Sequence, residues 1–443
     1  MDEILITGMG IVSALGNNVE ENLRSLRENR SGIAPLHYLQ TSHTEFPVGE
    51  VKMTNEEMIS LLNISDNEPT TRTSLMGMLA VREALQSAGL LTHSNGVDYF
   101  PPLGGLRGAF INGTTVGGMD KSEQFYLDFL ENDTKNAYIS THDCGACTEM
   151  IADYFGIFSQ VDTISTACSS AANAIILGAE LLKSGRADIV VAGGSECITK
   201  FHLNGFNTLK ILDQEPCRPF DATRAGLNLG EGAAYVVMEA PLNLPKEGKF
   251  APAFLRDQGK VLCKLVGYAN TCDAFHQTAS SPDGEGAYLA MKKALENAQL
   301  VPEQIDYINA HGTGTANNDL SEGTAIVRIF GETIPPFSST KSFTGHTTSA
   351  AGCVEAVISI LALQHNFIPA NLNFSEKMPE FSLIPVKVDN NHIYRELRHV
   401  LSNSFGFGGN DTCLIFSKIE NNLQSCKLQS CKLQSCKLQS CKL

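Results

Sequence analysis

Three residues of this 443-residue chain have types and surroundings that suit thiol chemistry. Cys168 stands in TISTACSSA, between a β-rich apolar run and a long segment without charge. A thiol at the start of a helix meets unpaired N–H groups and the positive end of the helix dipole, which favour the thiolate. His311 in AHGTGT and His346 in TKSFTGHTTSAAG lie in turns that lead towards helices. This common context favours a function for all three residues, with Cys168 as the nucleophile.

Plainer interpretations of the same residues remain open at this point. An isolated cysteine is commonly a small buried core residue, and an isolated histidine is commonly structural or exposed. The other nine histidines have no comparable context, and we interpret them in that way. The CGAC segment at 144–147 has C-x-x-C spacing, but no second pair completes a zinc site and no thioredoxin-like strand precedes it.

The elements that must position these residues are short β-rich runs alternating with longer helical stretches. The runs cover residues 4–12, 108–115, 162–168, 188–196, 232–240, 264–270, 305–314, 400–409 and 412–419. Because they contain few charges, they predict an α/β protein whose sheets are buried on both faces. Cys168 and His311 then follow strands, at the carboxyl ends where open α/β sheets bind ligands. The helix predicted over 168–184 has no charge from Ala167 to Ala179 and should be buried nearly all round.

Composition changes divide the chain into three parts. A polar segment containing Pro and Lys at 240–260 predicts a joint between a half over 1–250, which carries Cys168, and a half over 251–420, which carries both histidines. Residues 421–443 form a tail, in which 423–443 are four LQSCK repeats and a final Leu. A five-residue period matches neither a helix nor a strand, so we expect this tail to be disordered. Its cysteines lack the spacing of zinc sites.

Charge and composition argue against several classes of function. A net charge of −15 gives no global reason to bind nucleic acid or an anionic membrane. The first residues are acidic where a secretion signal is basic. The chain also has no run of 18 consecutive uncharged apolar residues, which a membrane span would need. We therefore expect a cytoplasmic protein whose body cysteines are free thiols. The glycine-rich segments lack phosphate-loop spacing, so no nucleotide or metal cofactor is predicted.

Taken together, the motifs resemble the β-ketoacyl-acyl-carrier-protein synthases of the elongating, synthase II-like type. The resemblance spans about residues 3–419 and rests on TACSSA, AGGSE, RPFD, GEGAA, HGTGT, TKSFTGHT and SNSFGFGG in this order. It implies a thiolase-like, duplicated five-layer α-β-α-β-α core and a homodimer. It also implies condensation of an acyl thioester with malonyl-acyl-carrier protein, in fatty-acid or related polyene or polyketide synthesis. The substrates would arrive on the phosphopantetheine of the carrier protein, with no other cofactor.

The resemblance assigns catalytic roles to five residues. Cys168 would hold the acyl chain, and His311 and His346 would stabilise the enolate oxygen formed when malonyl loses CO2. Lys341 would support the histidines and keep them neutral, since added like charge is unfavourable. Phe407 would be a gating residue beside the nucleophile, with backbone N–H groups of Cys168 and Phe407 holding the oxyanion.

Further positions match supporting and binding residues of the family. Glu355, Asp319 and Glu322 would support the site. Four residues would bind substrate: Val116, Phe206, Thr313 and Thr315. Lys210 would contact the acidic carrier, with Arg72 and Arg224 as weaker candidates. A solvated surface charge explains each of these basic residues as well, and ordinary core packing explains Val116 and Phe206.

Two departures and one rival remain. This chain has GFGGND at 406–411 where the family usually has GFGGTN, and the stretch 117–160 is unusual. These differences leave chain-length preference and dimer contacts open. The rival is a non-catalytic partner subunit resembling the chain-length factors of polyketide systems, but such subunits lose the nucleophile that Cys168 supplies here. The sequence does not decide between a fatty-acid and a specialised product, or between a homodimer and a heterodimer.

Overall fold

The computed structural model describes residues 3–65, 68–94, 97–99, 107–132, 134, 136–240, 260–388 and 393–419. The strands in these ranges are β1 (Ile4–Ser13), β2 (Thr92–Ser94), β3 (Val97–Tyr99), β4 (Gly108–Gly113), β5 (Gln160–Ile164), β6 (Ile189–Glu196), β7 (Gly232–Glu239), β8 (Cys263–Cys272), β9 (Tyr307–Asn309), β10 (Phe337–Ser338), β11 (Phe367–Ile368), β12 (Ile393–Tyr394), β13 (His399–Gly406) and β14 (Asn410–Ser417). The helices are α1 (Val19–Arg27), α2 (Asn55–Leu62), α3 (Arg72–Ser87), α4 (Met119–Glu131), α5 (Cys144–Phe155), α6 (Ser170–Lys183), α7 (Lys200–Thr208), α8 (Glu285–Ala298), α9 (Ala316–Phe330), α10 (Lys341–Thr344) and α11 (Ala351–His365). The predicted boundary at 250/251 and the tail over 421–443 lie outside the described residues and stay predictions.

The main sheet contains the same strand arrangement twice. Its order is β5-β4-β6-β7-β1-β8-β14-β13-β9-β10. In the first set β1 pairs antiparallel with β7, β7 antiparallel with β6, and β6, β4 and β5 are parallel. In the second set β8, β14, β13, β9 and β10 repeat these relations in the same order. The sets meet where β1 pairs with β8, at Ile4 and Leu265.

Helices cover both sets of strands and give five layers. Helices α3 and α5 pack on one side of the first set, and α8 and α9 pack on the far side of the second. Helices α6 and α11 occupy the middle layer and contact each other as well as strands of both sets. This arrangement confirms the predicted duplicated α-β-α-β-α core.

The two middle helices are apolar because protein surrounds them. Gly178 of α6 lies so close to β6 that an added Cβ would stand 2.9 Å from a Val190 methyl carbon. The segment Thr348–His365, which contains α11, is long and apolar enough to cross a membrane, but 89% of it is buried inside the protein. A buried layer between the two sets of strands requires this composition.

Candidate active site

A strained turn holds Cys168 between β5 and α6. Strand β5 ends at Ile164, so the strand predicted over 162–168 is too long, and α6 begins at Ser170. Ala167 has a φ of 52°, in the left-handed region that side chains other than glycine rarely adopt. The Ser170 hydroxyl accepts the Thr166 N–H at 2.9 Å and donates to the Ala167 carbonyl at 2.6 Å. These bonds hold the turn, and Cys168 is only 7% exposed.

The end of β13 lies directly against this turn. A Cβ on Gly406 would stand 2.9 Å from the Thr166 carbonyl and 3.2 Å from the Cys168 nitrogen, so only glycine fits there. This approach brings the Phe407 N–H into a hydrogen bond with the Cys168 thiol. Gly408 and Gly409 follow with φ of 78° and 76°, a conformation that glycine adopts without cost.

His346 is the imidazole next to the thiol. Its Nε2 lies 3.1 Å from Cys168 Sγ. The His346 backbone is fixed by a bond from its N–H to the Asn228 carbonyl at 2.7 Å and a bond from the Gly230 N–H at 2.9 Å. Its Nδ1 has no hydrogen-bond partner among the described residues. Nothing there restricts which ring nitrogen carries the proton, so Nε2 can either accept or donate.

His311 stands at right angles to His346 and is oriented by Lys341. The two imidazole rings are 5.4 Å apart at an interplanar angle of 87°. Lys341 Nζ donates to His311 Nδ1 at 3.1 Å and to the His311 carbonyl at 2.6 Å, and it pairs with the Glu355 carboxylate. An ammonium can only donate, so Nδ1 of His311 is the acceptor and its proton lies on Nε2. Lys341 therefore sets the tautomer of His311.

Both histidines are neutral in this environment. The pKa of His311 lies well below its ordinary value because of burial first, then the charge of Lys341 and the neighbouring His346. The pKa of His346 is lowered in the same way by burial, by Lys341 and by His202. The predicted effect of Lys341 is present, but burial contributes more. Burial also raises the pKa of Glu355 to about 7, against the opposing effect of Lys341.

The thiol differs from the sequence-based expectation of a thiolate. Burial raises the pKa of Cys168 to about 11, although Lys341 and the Phe407 N–H act in the opposite direction. The unliganded thiol is therefore protonated near neutral pH. Its proton can pass to His346 Nε2, which lies within hydrogen-bond distance.

Two buried carboxylates, both assigned as supporting residues, connect the loops around His311 to other parts of the chain. Glu322 accepts the N–H groups of His311 at 2.9 Å and Gly312 at 2.7 Å, as well as the Asn403 amide at 3.0 Å. Asp319 accepts the Phe220 N–H at 2.7 Å and the Gly314 N–H at 3.2 Å. Burial raises the pKa of both carboxyl groups, and the same backbone donors oppose that shift.

The four predicted substrate-binding residues lie in different settings. Phe206 stacks on Phe407 with ring centres 5.9 Å apart, which joins it to the nucleophile loop. Thr313 and Thr315 share a hydrogen bond of 2.8 Å between their hydroxyls just after His311. Val116 is 3% exposed and packs in a core cluster with α3 and α5. The contacts of Val116 agree equally well with a role in core packing and with a role in an acyl pocket.

Of the three predicted carrier contacts, the geometry does not support Arg72. The Arg72 side chain is 11% exposed and pairs with Glu231, with Nη2 to Oε1 at 2.6 Å. Its remaining donors bind Glu231, the Val51 and Met53 carbonyls and Asn55. Every N–H of the guanidinium is thus occupied inside the protein, and we withdraw Arg72 from the carrier-binding set.

The other two candidates reach the surface. Lys210 is exposed at the turn after α7, with a φ of 57°. Arg224 is half-buried and donates to the Asp221 carbonyl at 3.0 Å and the Ala316 carbonyl at 3.1 Å. Lys210 is therefore the better placed of the two to meet an acidic partner.

Glu196 closes the AGGSE motif, and its role was not evident from the sequence. This carboxylate is fully buried and accepts bonds from the Thr115 N–H at 2.8 Å, the Val116 N–H at 3.0 Å and the Ser349 hydroxyl. It therefore links β6 to the loop after β4 and to the turn just before α11. The sequence feature that could have indicated this role is a single acidic residue at the end of an apolar strand.

The described residues contain no group of three or more His, Cys, Asp or Glu side chains that could hold a metal ion. The nine cysteines in this part of the chain are free, and Cys144 and Cys147 open α5. Burial raises the pKa of Cys144 to about 11 and that of Cys147 well above its ordinary value.

Comparisons with known proteins cover nearly the whole chain. The family models Beta-ketoacyl synthase, N-terminal domain, and Beta-ketoacyl synthase, C-terminal domain, match residues 1–241 and 262–375. Nodulation protein E of Rhizobium meliloti (strain 1021) is 32% identical over 426 residues, which cover 94% of this chain and 99% of the relative. The 3-oxoacyl-[acyl-carrier-protein] synthase 2 of Staphylococcus aureus (strain COL) is 29% identical over 429 residues, which cover 94% and 98%. The solved structure described as the ishigamide ketosynthase/chain length factor has a TM-score of 0.83 at 28% identity, and the match covers 95% of this chain and 100% of that chain.

These matches agree with the duplicated fold and with the motifs that surround Cys168, His311 and His346. The chain is therefore an acyltransferase that forms C–C bonds, a ketosynthase acting in chain elongation of fatty-acid or polyketide synthesis. It belongs to the β-ketoacyl synthase family.

Proposed function

We propose that Cys168 holds an acyl chain delivered by an acyl-carrier protein and condenses it with malonyl-acyl-carrier protein to give 3-oxoacyl-acyl-carrier protein and CO2. The observation that carries this assignment is the convergence of a buried thiol and two neutral imidazoles, with His346 Nε2 3.1 Å from Cys168 Sγ. The intact nucleophile also argues against a non-catalytic partner subunit. Substrates bring their own phosphopantetheine, and the chain needs no further cofactor.

The first step transfers the acyl group to the enzyme. As Cys168 Sγ attacks the thioester carbon, its proton passes to His346 Nε2, because the raised pKa of the thiol disfavours a free thiolate beforehand. The C–S bond to the carrier breaks, and the carrier thiolate takes the proton from His346. The developing oxyanion is stabilised by the N–H groups of Cys168 and Phe407.

The second step makes the carbon nucleophile. Malonyl thioester loses CO2, and the electron pair of the broken C–C bond moves onto the thioester oxygen as an enolate. His311 donates from Nε2, since Lys341 occupies its Nδ1. His346 donates from its own Nε2 after a change of tautomer, because no described residue binds its Nδ1 and holds the proton there. Loss of one such donor typically costs ~3–4 kcal/mol of transition-state stabilisation.

The third step forms the new C–C bond. The enolate carbon attacks the acyl carbonyl on Cys168, the bond to Sγ breaks, and the thiolate takes a proton from His346 Nε2, which a proton from solvent then replaces. Neutral histidines suit this sequence because they donate N–H groups and still accept a proton from the thiol. Burial and Lys341 keep them neutral.

The carrier partner is supported by chemistry and by one relative. The Staphylococcus aureus relative is named for an acyl-carrier-protein substrate. Lys210 is exposed beyond α7, and Phe206 of the same helix stacks on Phe407 beside Cys168. A basic side chain at that entrance can attract an acidic carrier to a protein whose net charge is −15. We assign the hydroxyls of Thr313 and Thr315 to the pantetheine arm.

We also propose that two copies of the chain assemble in the cytoplasm through β5. This strand is the last in its sheet, and Val161 on it is 37% exposed. An uncovered edge strand presents unpaired N–H and C=O groups that a second edge can bind. The ishigamide structure is described with a chain length factor, so a heterodimer is the competing assembly.

Mass spectrometry of acyl transfer tests the proposed function. The full chain is incubated with acyl-carrier and malonyl-carrier substrates of several chain lengths, and CO2 release is followed alongside peptide mapping. We expect an acyl adduct on Cys168 and none in Cys168→Ala. An adduct on another residue, or none at all, contradicts the mechanism.

Alanine variants of the two histidines distinguish their roles in acylation and in decarboxylation. His311→Ala should keep acylation of Cys168 and lower decarboxylation by about 10²–10³-fold. His346→Ala should slow both steps, because this residue also accepts the thiol proton. Full condensation by either variant contradicts the two-donor arrangement.

A further inference from the structure

A second concave site lies at the opposite end of α6 from Cys168. The cleft has a volume of about 430 Å³. It forms where the start of β1, the start of β8, the ends of β14 and α8, and the last residue of α6 meet. The fourteen residues of α6 place it ~20 Å from the nucleophile. None of the residues assigned to condensation lines it, and we call it the basal cleft.

The lining of the basal cleft is rich in positive charge although the protein is acidic. Three lysines line it, Lys183, Lys264 and Lys418, and the carboxylate of Glu3 is the single acidic group among the described lining residues. Lys264 pairs with Glu3 at 2.6 Å, and Glu3 is itself 49% exposed. Within the part of the chain that the structure describes, the other two lysines therefore have no carboxylate partner in the cleft.

The other two lysines are held in place by neutral groups. Lys183 Nζ lies over the Tyr268 ring, 4.6 Å from its centre. Lys418 Nζ donates to the Asn366 side-chain oxygen at 3.1 Å. Both side chains are half-buried rather than extended into solvent. The nearby carboxylate Glu180 accepts a hydrogen bond from the Tyr268 hydroxyl and is not among the lining residues.

Neutral donors and an apolar wall complete the cleft. The Asn297 side-chain oxygen accepts the Tyr268 N–H at 3.2 Å, so its NH2 group is the part left to meet a ligand. Ser417 bonds His399 at 2.6 Å on the same lining. The remaining lining residues are Ile4, Leu265, Val266, Ala298 and Leu300. A volume of about 430 Å³ holds a small organic molecule, not only an inorganic ion.

We infer that the basal cleft binds a small phosphate monoester, with its phosphate among Lys183, Lys264 and Lys418 and its organic part against the apolar wall. A phosphate dianion matches the two unbalanced charges and offers several oxygens to ammonium and amide donors. The site joins strands of both repeats, β1 from the first and β8 and β14 from the second. Ligand bound there stabilises the folded enzyme by mass action.

Calorimetric titration of the full chain at low ionic strength tests this inference, with phenyl phosphate and inorganic phosphate as probes. We expect one saturable site per chain, with phenyl phosphate binding about tenfold more tightly because it also covers the apolar wall. Sulfate tests how much of the binding comes from the anion alone, and benzoate tests how much comes from an aromatic ring with a carboxylate in place of the phosphate. The inference is overturned if neither phosphate probe saturates at millimolar concentration, or if benzoate binds as tightly as phenyl phosphate.

Charge variants distinguish the cleft from adventitious binding. Lys183→Gln and Lys418→Gln should each weaken phenyl phosphate binding at least about fivefold, whereas Glu3→Gln should strengthen it. Lys292→Gln is the matched control, because Lys292 also lies over a tyrosine ring, at 5.8 Å from the centre of Tyr288, but outside the cleft. An unchanged affinity in the lysine variants, or weaker binding by Glu3→Gln, contradicts the site.

Cys168→Ala separates this inference from the proposed function. It should bind phenyl phosphate like the wild type while losing condensation. Thermal melting with and without the probe checks that each variant is folded, and the ligand-dependent rise in Tm should be lost in the Lys183→Gln, Lys418→Gln double variant.

Discussion

The Cys168 thiol lies 3.1 Å from His346 Nε2 and accepts the Phe407 N–H, yet burial raises its pKa to about 11. The site therefore couples a protonated thiol to a neutral imidazole instead of storing a thiolate. Lys341 acts on both partners, since its charge lowers the pKa of Cys168 and of His346. At the residue scale, the reactivity of the site depends on this buried cation.

Replacing the cation tests that dependence. In Lys341→Met the pKa of Cys168 should rise further, because a favourable charge is removed while burial remains. Alkylation of Cys168 by iodoacetamide, followed from pH 7 to pH 10, should slow about tenfold for each unit that the thiol pKa rises. Lys210→Met removes an exposed lysine and should leave alkylation unchanged. Equal or faster alkylation in Lys341→Met would contradict this role.

Among the elements, the turn before α6 and the end of β13 depend on each other. Gly406 has no room for a side chain beside Thr166 and Cys168, and the next residue supplies the N–H that reaches the thiol. Motifs separated by more than two hundred residues thus form one structure. The motif SNSFGFGG does not by itself indicate this contact, which depends on the packing of β13 against the turn.

Gly406→Ala should therefore impair chemistry more than stability. The added Cβ meets backbone atoms at 2.9 Å and 3.2 Å, so the loop must shift away from Cys168. Acylation should fall at least about tenfold, which corresponds to ~1.4 kcal/mol, as measured by the rate of adduct formation. Gly205→Ala, with nothing within 4 Å of the new Cβ, is the control. Similar acylation rates in both variants would rule out the proposed contact.

Two basic residues with similar sequence-based assignments should behave differently. Arg72 joins the start of α3 to Glu231, and breaking a buried ion pair on one side typically costs ~3–5 kcal/mol. Arg72→Gln should therefore lower the denaturant midpoint. Lys210→Gln should leave that midpoint unchanged and raise the KM for the carrier substrate. The reverse pattern would restore Arg72 as a carrier contact.

At the scale of the whole molecule, duplication places two sets of loops at one end and the basal cleft at the other. The residues proposed for condensation come from the loops after β5, β9 and β10 and from the end of β13. The cleft lies where β1 and β8 join the repeats. The fold can therefore hold a second ligand without disturbing the catalytic groups.

The departure GFGGND has a measurable consequence for the folded molecule. Asp411 pairs with Thr271 of β8 in the sheet, and burial with Asp273 and Glu322 raises its pKa to about 8 from an ordinary 3.8. A folded-state pKa above the unfolded value means that the folded chain binds the proton more tightly. The resulting stability is fully present below about pH 4 and is lost as the pH rises through about 8.

Asp411→Asn removes the titrating carboxyl group and with it this pH dependence of the stability. The variant should become more stable than the wild type as the pH rises from 5 to 8, and the difference should level off above pH 8. A pKa difference of about four units corresponds to ~5 kcal/mol, so a Tm difference of about 5 °C at pH 8 is expected, measured by circular dichroism across the series. Asp306→Asn, at a partly exposed ion pair with Arg395, is the control. A constant difference across pH would contradict the shifted pKa of Asp411.

Much of the fold and of the site could be predicted because the relevant signals are local. The runs at 4–12, 188–196, 232–240 and 412–419 matched strands within a few residues, since apolar patterning directly reflects burial. The run at 305–314 contains only the short β9, because its glycines and His311 already belong to the loop. The extents of the halves, the disorder of the tail and the lack of a cofactor stay predictions.

The sequence by itself predicted roles for Cys168, His311 and His346, and the family resemblance added Lys341, because each lies in a motif whose residues are neighbours in the chain. Tertiary structure alone decided the raised pKa of the thiol, the tautomer of His311, the burial of Arg72 and the charge of the basal cleft. Each of these depends on desolvation and on partners distant in sequence, such as Arg72 and Glu231, 159 residues apart. Local patterns carry no information about such contacts until the chain has folded.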